Sequence, residues 1–350
     1  MRAITLTPGK ADSARLDDVP EPSEEQGDVL VDGIALGICG TDAEMVRGEY
    51  DFGPPEGEER LILGHESLGR VRESPDGSGL SPGDLVVGIV RRPDPEPCVC
   101  CARGEFDFCR NGLYTERGIK ERHGYGSEHW RVEAEYAVRL DPALEAVGVL
   151  MEPTSVVAKA WEQIERISGR ACHDMRSVLI TGAGPIGLLA AMLGAQRGLE
   201  VHVLDTVKDG IKPKLVEDLG ATYHSDGVKA VGATVDVVIE ATGVGEVVVD
   251  ALTINAAGGI VCLTGVSPAG RSSDVDIGVL NRKMVLENDV VFGSVNANRR
   301  HYEAAAEALG RADQEWLGRL ITRRVPLSRW AEALDRKGHD DVKVVVALDE

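Results

Sequence analysis

Aromatic side chains are scarce in this 350-residue chain, at 4% of residues, and lysine is a minority among its bases, most of which are arginine. Positive charge as a whole is short: 38 Lys+Arg stand against 58 Asp+Glu, leaving a formal net charge of −20. Such a field repels phosphate backbones and removes the counterion-release term that drives non-specific nucleic-acid binding, so no nucleic-acid partner is expected and a metal-braced nucleic-acid binder is a remote reading. Long apolar runs are missing too. Gly187–Ala195 and Val344–Leu348 fall well short of the ~18–20 residues that cross a bilayer, so no membrane partner is expected. Disulfide staples are also not expected, because the seven cysteines are odd in number and unevenly spread, and a chain of this length holds core enough for about two domains. MRAITLTPGK shows no charged start followed by an apolar run and a small-residue cleavage site, so the expected compartment is reducing cytoplasm, where clustered cysteines more often bind metal. An acidic, lysine-poor surface is like that of proteins from salt-loving organisms, whose carboxylates stay solvated when salt screens their repulsion.

What is present falls into two textures. The first ~150 residues are rich in Gly, Pro and charge, with short alternating runs such as Val29–Leu36 and Asp84–Val90 between turn signals, and read as a β-rich body with long loops. From Arg176 the pattern becomes strand, helix, strand: Ser177–Thr181, a helix over Ile186–Gly198, then Glu200–Leu204. Further strands are predicted at Val235–Glu240, Gly259–Thr264 and Asp289–Ser294, with helices around Ile211–Leu219 and Glu246–Ala256. Continuous apolar strands alternating with helices predict an α/β fold with a doubly wound parallel sheet. The tail reads as two helices, HYEAAAEAL and LSRWAEALDR, and a last strand, VKVVVAL.

The first turn of the parallel region is TGAGPIG. Gly182, Gly184 and Gly187 match G-x-G-x-x-G between a strand and a helix, where the backbone can turn tightly and its amides can meet a pyrophosphate. Asp205 ends the second strand about 20 residues on, the place for a carboxylate that binds an adenosine ribose and repels a 2′-phosphate. It favours NAD over NADP, with Lys208 nearby softening the preference. In the β-rich part, Cys39 sits in GICGTD and His65–Glu66 in LGHESLG, and Glu152 follows in MEP. Together they supply the thiolate, imidazole and carboxylates of a catalytic zinc site with one open position, although spacing alone does not bring them together in space. CVCCARGEFDFC then places Cys98, Cys100, Cys101 and Cys109 in one short loop.

GICGTD, GHE, a four-cysteine loop and a G-x-G-x-x-G region, in this order, resemble the zinc-dependent medium-chain dehydrogenases over essentially the whole chain. VRRP, GLYTERGIKERHGYGSE, MEP with Lys159, and GSVNAN are most similar to the archaeal glucose dehydrogenases of that family, the haloarchaeal ones included. The resemblance implies a GroES-like catalytic domain, residues 1–154 and 297–350, and a Rossmann domain, residues 155–296, with the active site in the cleft between them. It implies a catalytic zinc on Cys39 and His65, with Glu152 ranked ahead of Glu66 as the carboxylate ligand. Thr41 would bond the reacting hydroxyl or pass its proton outward, with capping of the helix near Asp42 as its alternative role. Glu116 and Asn296 would hold sugar hydroxyls, Glu152 would share in substrate binding, and Asn296 would also lie near the nicotinamide. The nucleotide would meet Gly182, Gly184, Pro185, Ile186, Gly187, Asp205, Thr206, Thr242, Gly243, Gly265, Val266 and Ser294. His123 and His129 read as residues packing near the cleft.

Two departures stand out. Asp205 replaces the neutral residue and arginines that often hold an NADP phosphate in the glucose dehydrogenases. The family's cysteine spacing is C-x2-C-x2-C-x7-C, which Cys98, Cys101 and Cys109 satisfy at the last three positions. The first position falls on Pro95, so Cys100 is an extra thiol and the candidate fourth ligand of a structural zinc, with Asp94 and Glu96 as poorer substitutes and a partly degenerate loop without metal as the alternative. The expected activity is zinc-dependent oxidation of an aldose at C1, glucose foremost, with NAD or NADP as acceptor and a dimer or tetramer as the assembly. A polyol, secondary-alcohol or amino-alcohol dehydrogenase is the alternative, and a non-catalytic dinucleotide-binding protein a remote one.

Overall fold

The computed structural model describes residues 1–232, 234–267, 275–335, 338 and 340–349. The chain divides into two compact units, Met1–Ser155 with Asn296–Glu350, and Val156–Val295. The helix Met151–Ser168 carries the chain from the first unit into the second.

The first unit is organised on a long strand, Val29–Ile38, whose apolar positions are buried along most of its length. It pairs antiparallel with Glu66–Glu73, Lys343–Ala347 and His129–Val132. Leu85–Gly88 and Ala137–Arg139 extend the sheet on one side and Ile321–Pro326 on the other. Leu36, Leu63, Trp130, Val325 and Val346 are among the buried side chains of its core, so residues from both ends of the chain share one apolar interior. Two smaller three-stranded sheets complete the unit, one of them formed by Arg91–Arg92, Thr115–Arg117 and Glu121–Arg122.

The second unit is a six-stranded parallel sheet in the order Thr222–His224, Glu200–Leu204, Ser177–Thr181, Val235–Glu240, Asn255–Leu263, Val290–Gly293. Its strands are continuous apolar runs because helices cover both faces of such a sheet, and Leu179, Leu204, Val238 and Val261 are buried in one cluster. The chain starts in the middle and winds outward both ways, which puts the reversal of strand order between Ser177–Thr181 and Val235–Glu240. Ligands of doubly wound sheets bind in the crevice outside the carboxyl ends of strands at such a point.

One expected element differs. LSRWAEALDR is not an α-helix: Leu327–Ala333 is a 3-10 run interrupted at Arg329 (φ −120°, ψ 24°). Leu327 and Ala333 are buried and Trp330 packs against the core between them. That apolar spacing of three is the 3-10 period rather than the α period.

Candidate active site and metal centres

Cys39 follows the strand Val29–Ile38 directly and His65 precedes the strand Glu66–Glu73, and because these strands are paired the two side chains meet. His65 Nε2 lies 3.2 Å from Cys39 Sγ. Cys39 also caps the helix Gly40–Val46, with its backbone N–H donating to Asp42 Oδ2 at 2.9 Å. This disposes of the alternative role for Thr41: Cys39 is the N-cap, and the half-buried Thr41 hydroxyl makes no hydrogen bond among the described residues.

Behind the histidine, the fully buried Asp42 holds Oδ1 3.5 Å from His65 Nδ1. Ligand atoms of Cys39, Asp42 and His65 lie within 4.8 Å of one another, and so do those of His65, Glu66 and Glu152. The two carboxylates differ in what they touch. Glu66 accepts from Lys343 Nζ at 2.6 and 2.5 Å, a fully buried pair, and Lys343 also donates to Ile38 O at 3.3 Å. Gly37 makes room for this: a Cβ there would come 2.0 Å from Glu66 Oε2. Glu152, in the first turn of Met151–Ser168, has no such cation bound to it among the described residues. Burial, with the charge of Glu66 adding to it and that of His65 opposing, pushes Glu152 up to about 7. Burial and the neighbouring Asp42 likewise raise the Cys39 thiol. A thiol, an imidazole nitrogen aimed at it and a carboxylate without a hydrogen-bonded cation among the described residues are donors that fit a zinc ion, and Asp42 stands behind His65 without a hydrogen bond to it.

Glu116 lies in Thr115–Arg117, its carboxylate 3.0 Å from Arg91 Nε and 2.9 Å from Arg91 Nη2, while Asn296 Nδ2 donates to it at 2.5 Å. Asn296 adopts a left-handed backbone (φ 61°), and its Oδ1 accepts from the Ala297 amide at 2.7 Å. His123 and His129 join neither metal-ligating group. His123 accepts from the Ile62 amide and pairs with Glu58, and His129 pairs with Glu21.

In the cysteine loop, the sulfurs of Cys98, Cys101 and Cys109 lie within 4.8 Å of one another. Cys98 Sγ accepts from the amides of Cys101 (3.5 Å) and Arg110 (3.3 Å), and these donors lower its pKa to about 6. Cys100 is not in the group, contrary to the expectation that it completes a tetrahedron. Cys101–Arg103 is a 3-10 turn, and successive residues on such a turn are ~120° apart, so aiming Cys101 at Cys98 carries Cys100 elsewhere.

In the second unit, GAGPIG joins Ser177–Thr181 to the helix Pro185–Gln196. A Cβ on Gly187 would lie 1.8 Å from Gly182 O, so the turn closes only with glycine there, while the space over Gly184 is open. Gly184 caps the helix without a side-chain acceptor, leaving first-turn amides free for an anion. Asp205 Oδ2 accepts from the Ala183 amide at 2.7 Å and lies 3.3 Å from Lys212 Nζ, and its Oδ1 accepts from the Val207 amide at 3.1 Å. Thr206 is exposed, as is Val266, whereas Ser294 is buried with an Oγ that has no hydrogen-bond partner among the described residues.

The sequence reading missed three residues of these sites. Asp42 stands beside Thr41 in GICGTD, and Arg91 lies within VRRP. Lys343 left no signal, since 277 positions separate it from Glu66.

Residues 145–348 match the family described as glucose dehydrogenase C-terminus, and residues 25–142 match the alcohol dehydrogenase GroES-like domain. The chain is 38% identical to a glucose 1-dehydrogenase of Methanocella arvoryzae and 41% identical to one of Thermoproteus tenax, over 99% of this chain and of each relative. Among solved structures it is similar to Haloferax mediterranei glucose dehydrogenase in complex with NADP, Zn and gluconolactone, at 33% identity and a TM-score of 0.90 over 99% of both chains. The chain therefore belongs to the zinc-dependent medium-chain dehydrogenases, in their glucose 1-dehydrogenase group.

Proposed function

We propose that this protein oxidises an aldose at C1, glucose foremost, to the aldonolactone, with the C1 hydride passing to a nicotinamide nucleotide and the hydroxyl proton leaving. The observations that support the reading are the contact of Cys39 with His65 and the closeness of His65 to Glu152, in a chain that aligns end to end with glucose 1-dehydrogenases. Zinc held by Cys39, His65 and Glu152 would act as a Lewis acid on the sugar hydroxyls. Glu66 is the poorer ligand because Lys343 already holds both of its oxygens. Asp42 stands behind the His65 ring, its Oδ1 3.5 Å from Nδ1, while Nε2 faces Cys39. Thr41, with its hydroxyl uncommitted, would accept the reacting hydroxyl's hydrogen bond or move its proton outward. Glu116 supplies acceptor oxygens for further sugar hydroxyls, and Arg91 and Asn296 fix its direction.

The nucleotide would seat on GAGPIG, with Thr242, Gly243, Gly265, Val266, Ser294 and Asn296 along its path. Asp205 favours NAD. A second ion, held by Cys98, Cys101 and Cys109, would brace the cysteine loop. The compartment we read as cytoplasm, in keeping with seven free cysteines and no helix long and apolar enough to cross a membrane among the described residues. Self-association as a dimer or tetramer belongs to the same reading, and would cover exposed Ile277, Val279, Val285 and Leu286 on the helix Ile277–Glu287.

The deciding measurement is reduced-nicotinamide formation by zinc-loaded protein at low and high KCl. It is run with a panel of aldoses, polyols and secondary alcohols and with each nucleotide separately. Turnover of aldoses is expected. Polyol-only turnover would replace the substrate class, and nucleotide binding without turnover of any substrate would identify a non-catalytic protein. In the same assay Asp205→Ser is expected to move the NADP-to-NAD preference by about tenfold toward NADP, the effect of one charge-assisted hydrogen bond. An unchanged ratio would remove Asp205 from the selectivity account.

A further inference from the structure

Glu240 ends the strand Val235–Glu240 and is fully buried. No lysine, arginine or histidine pairs with it among the described residues. Its partners are donors from the strand ends and loops at the carboxyl edge of the sheet. Oε1 accepts from Thr242 Oγ1 (2.5 Å), the Thr242 amide (2.7 Å) and Thr181 Oγ1 (3.1 Å), and the Gly243 amide lies 3.2 Å from both oxygens. The backbone carbonyl of the same residue accepts from the amides of Thr264 (2.8 Å) and Gly265 (3.0 Å) and from Thr264 Oγ1 (2.8 Å). Three neighbouring strand ends are thus tied to one residue.

Those ties reach the glycine loop through contact. The methyl of Thr242 presses on Gly182, where a Cβ would come 3.0 Å from Thr242 Cγ2. A Cβ on Gly265 would come 2.7 Å from Glu240 Oε2 and 2.1 Å from the Gly243 nitrogen, so this loop lies directly on the carboxylate. Burying a carboxylate without a cation is expensive unless several donors converge on it, and apart from the Thr181 hydroxyl at a strand end these donors are supplied by loops. The carboxylate also takes up amides of the Thr242–Gly243 turn, while the space over Gly184 stays open to a ligand.

We infer that Glu240 is a positioning residue for the nucleotide: through Thr242, Gly243 and Gly265 it sets the surface of the GAGPIG loop and the adjoining wall on which the nucleotide seats. This rests on the nucleotide-binding reading above. Glu240→Gln preserves size but turns an NH2 group toward donors. The expected result is an NAD or NADP Kd and KM raised about tenfold, as for one lost hydrogen bond to a charged acceptor, with the aldose KM held within about twofold. Thr242→Val, which removes one donor and keeps the shape, should give the same split to a smaller degree and should add little to Glu240→Gln in the double variant. It decides the matter if Glu240→Gln does not fold. A lowered melting temperature with nucleotide Kd and KM unchanged in both variants overturns the inference, leaving Glu240 a brace of the fold. Wild-type protein that binds neither nucleotide by calorimetry would instead overturn the underlying reading.

Discussion

At the scale of single residues, the decisive contrast is between two glutamates that look alike in sequence. Glu66 is neutralised by Lys343 and Glu152 is not, which is what separates a carboxylate that supports the site from one available to a metal. Removing one partner of a buried ion pair strands the other charge, at about 3 kcal/mol or more. Lys343→Met should lower unfolding free energy by that order in urea titrations, and Glu66→Gln in the same chain should restore most of the loss. A single-variant loss below about 1 kcal/mol would mean that the pair contributes little through its charges. Cys39, His65 and Glu152 stand out in sequence because their residue types are unusual together in such motifs, and the fold brings Cys39 and Glu152 each close to His65. Lys343 was not, since a lysine in an apolar strand reads as an edge residue until the strand's neighbour is known. Arg91 and Asp42 lay inside flagged motifs, but charged residues in an acidic chain give no sign of what they face.

Among elements, the cysteine loop and the arginine-rich sheet beside it make separate predictions. Three converging sulfurs and an outlying Cys100 imply that Cys101→Ser removes one zinc per chain by elemental analysis, while Cys100→Ser leaves the metal content unchanged. Equal loss from both would restore Cys100 as a ligand. Glu133 lies among Arg92, Arg117 and Arg122. Against the cost of burial, these arginines hold it at about 2, below the ordinary 4.5. A carboxylate lowered on folding stabilises fully above its unfolded value, and that contribution drains away as pH falls from 4.5 toward about 2. Glu133→Gln should therefore flatten the decline in melting temperature across that window, and an unaltered slope would assign acid unfolding to other groups. The elements themselves were unevenly legible. Ser177–Thr181, Glu200–Leu204 and Val235–Glu240 appear where the apolar runs predict them, because parallel strands are buried on both faces. Leu327–Ala333 was misread because three apolar residues spaced by three mimic one face of an α-helix over so short a stretch.

For the whole molecule, the charge of −20 is the dominant feature. Self-repulsion opposes the compact state, and molar salt shortens its range to ~3 Å from ~10 Å at 0.1 M. The melting temperature should rise with KCl by calorimetry, and more than it does with an uncharged osmolyte; a flat profile would make the acidity incidental to salt. Composition alone revealed this property, since charge adds without reference to fold.

The pairing of Glu66 with Lys343 also bears on the order in which the protein can be completed. Ribosomes deliver Cys39, His65 and Glu152 before the parallel-sheet unit, yet the ammonium that neutralises Glu66 arrives on a strand made only after that entire unit. Until that strand slots beside Val29–Ile38, the nascent site holds an excess of negative charge and an open sheet edge. The wait for that strand is thus a built-in interval of vulnerability during synthesis, when a metal ion or a chaperone has most to offer.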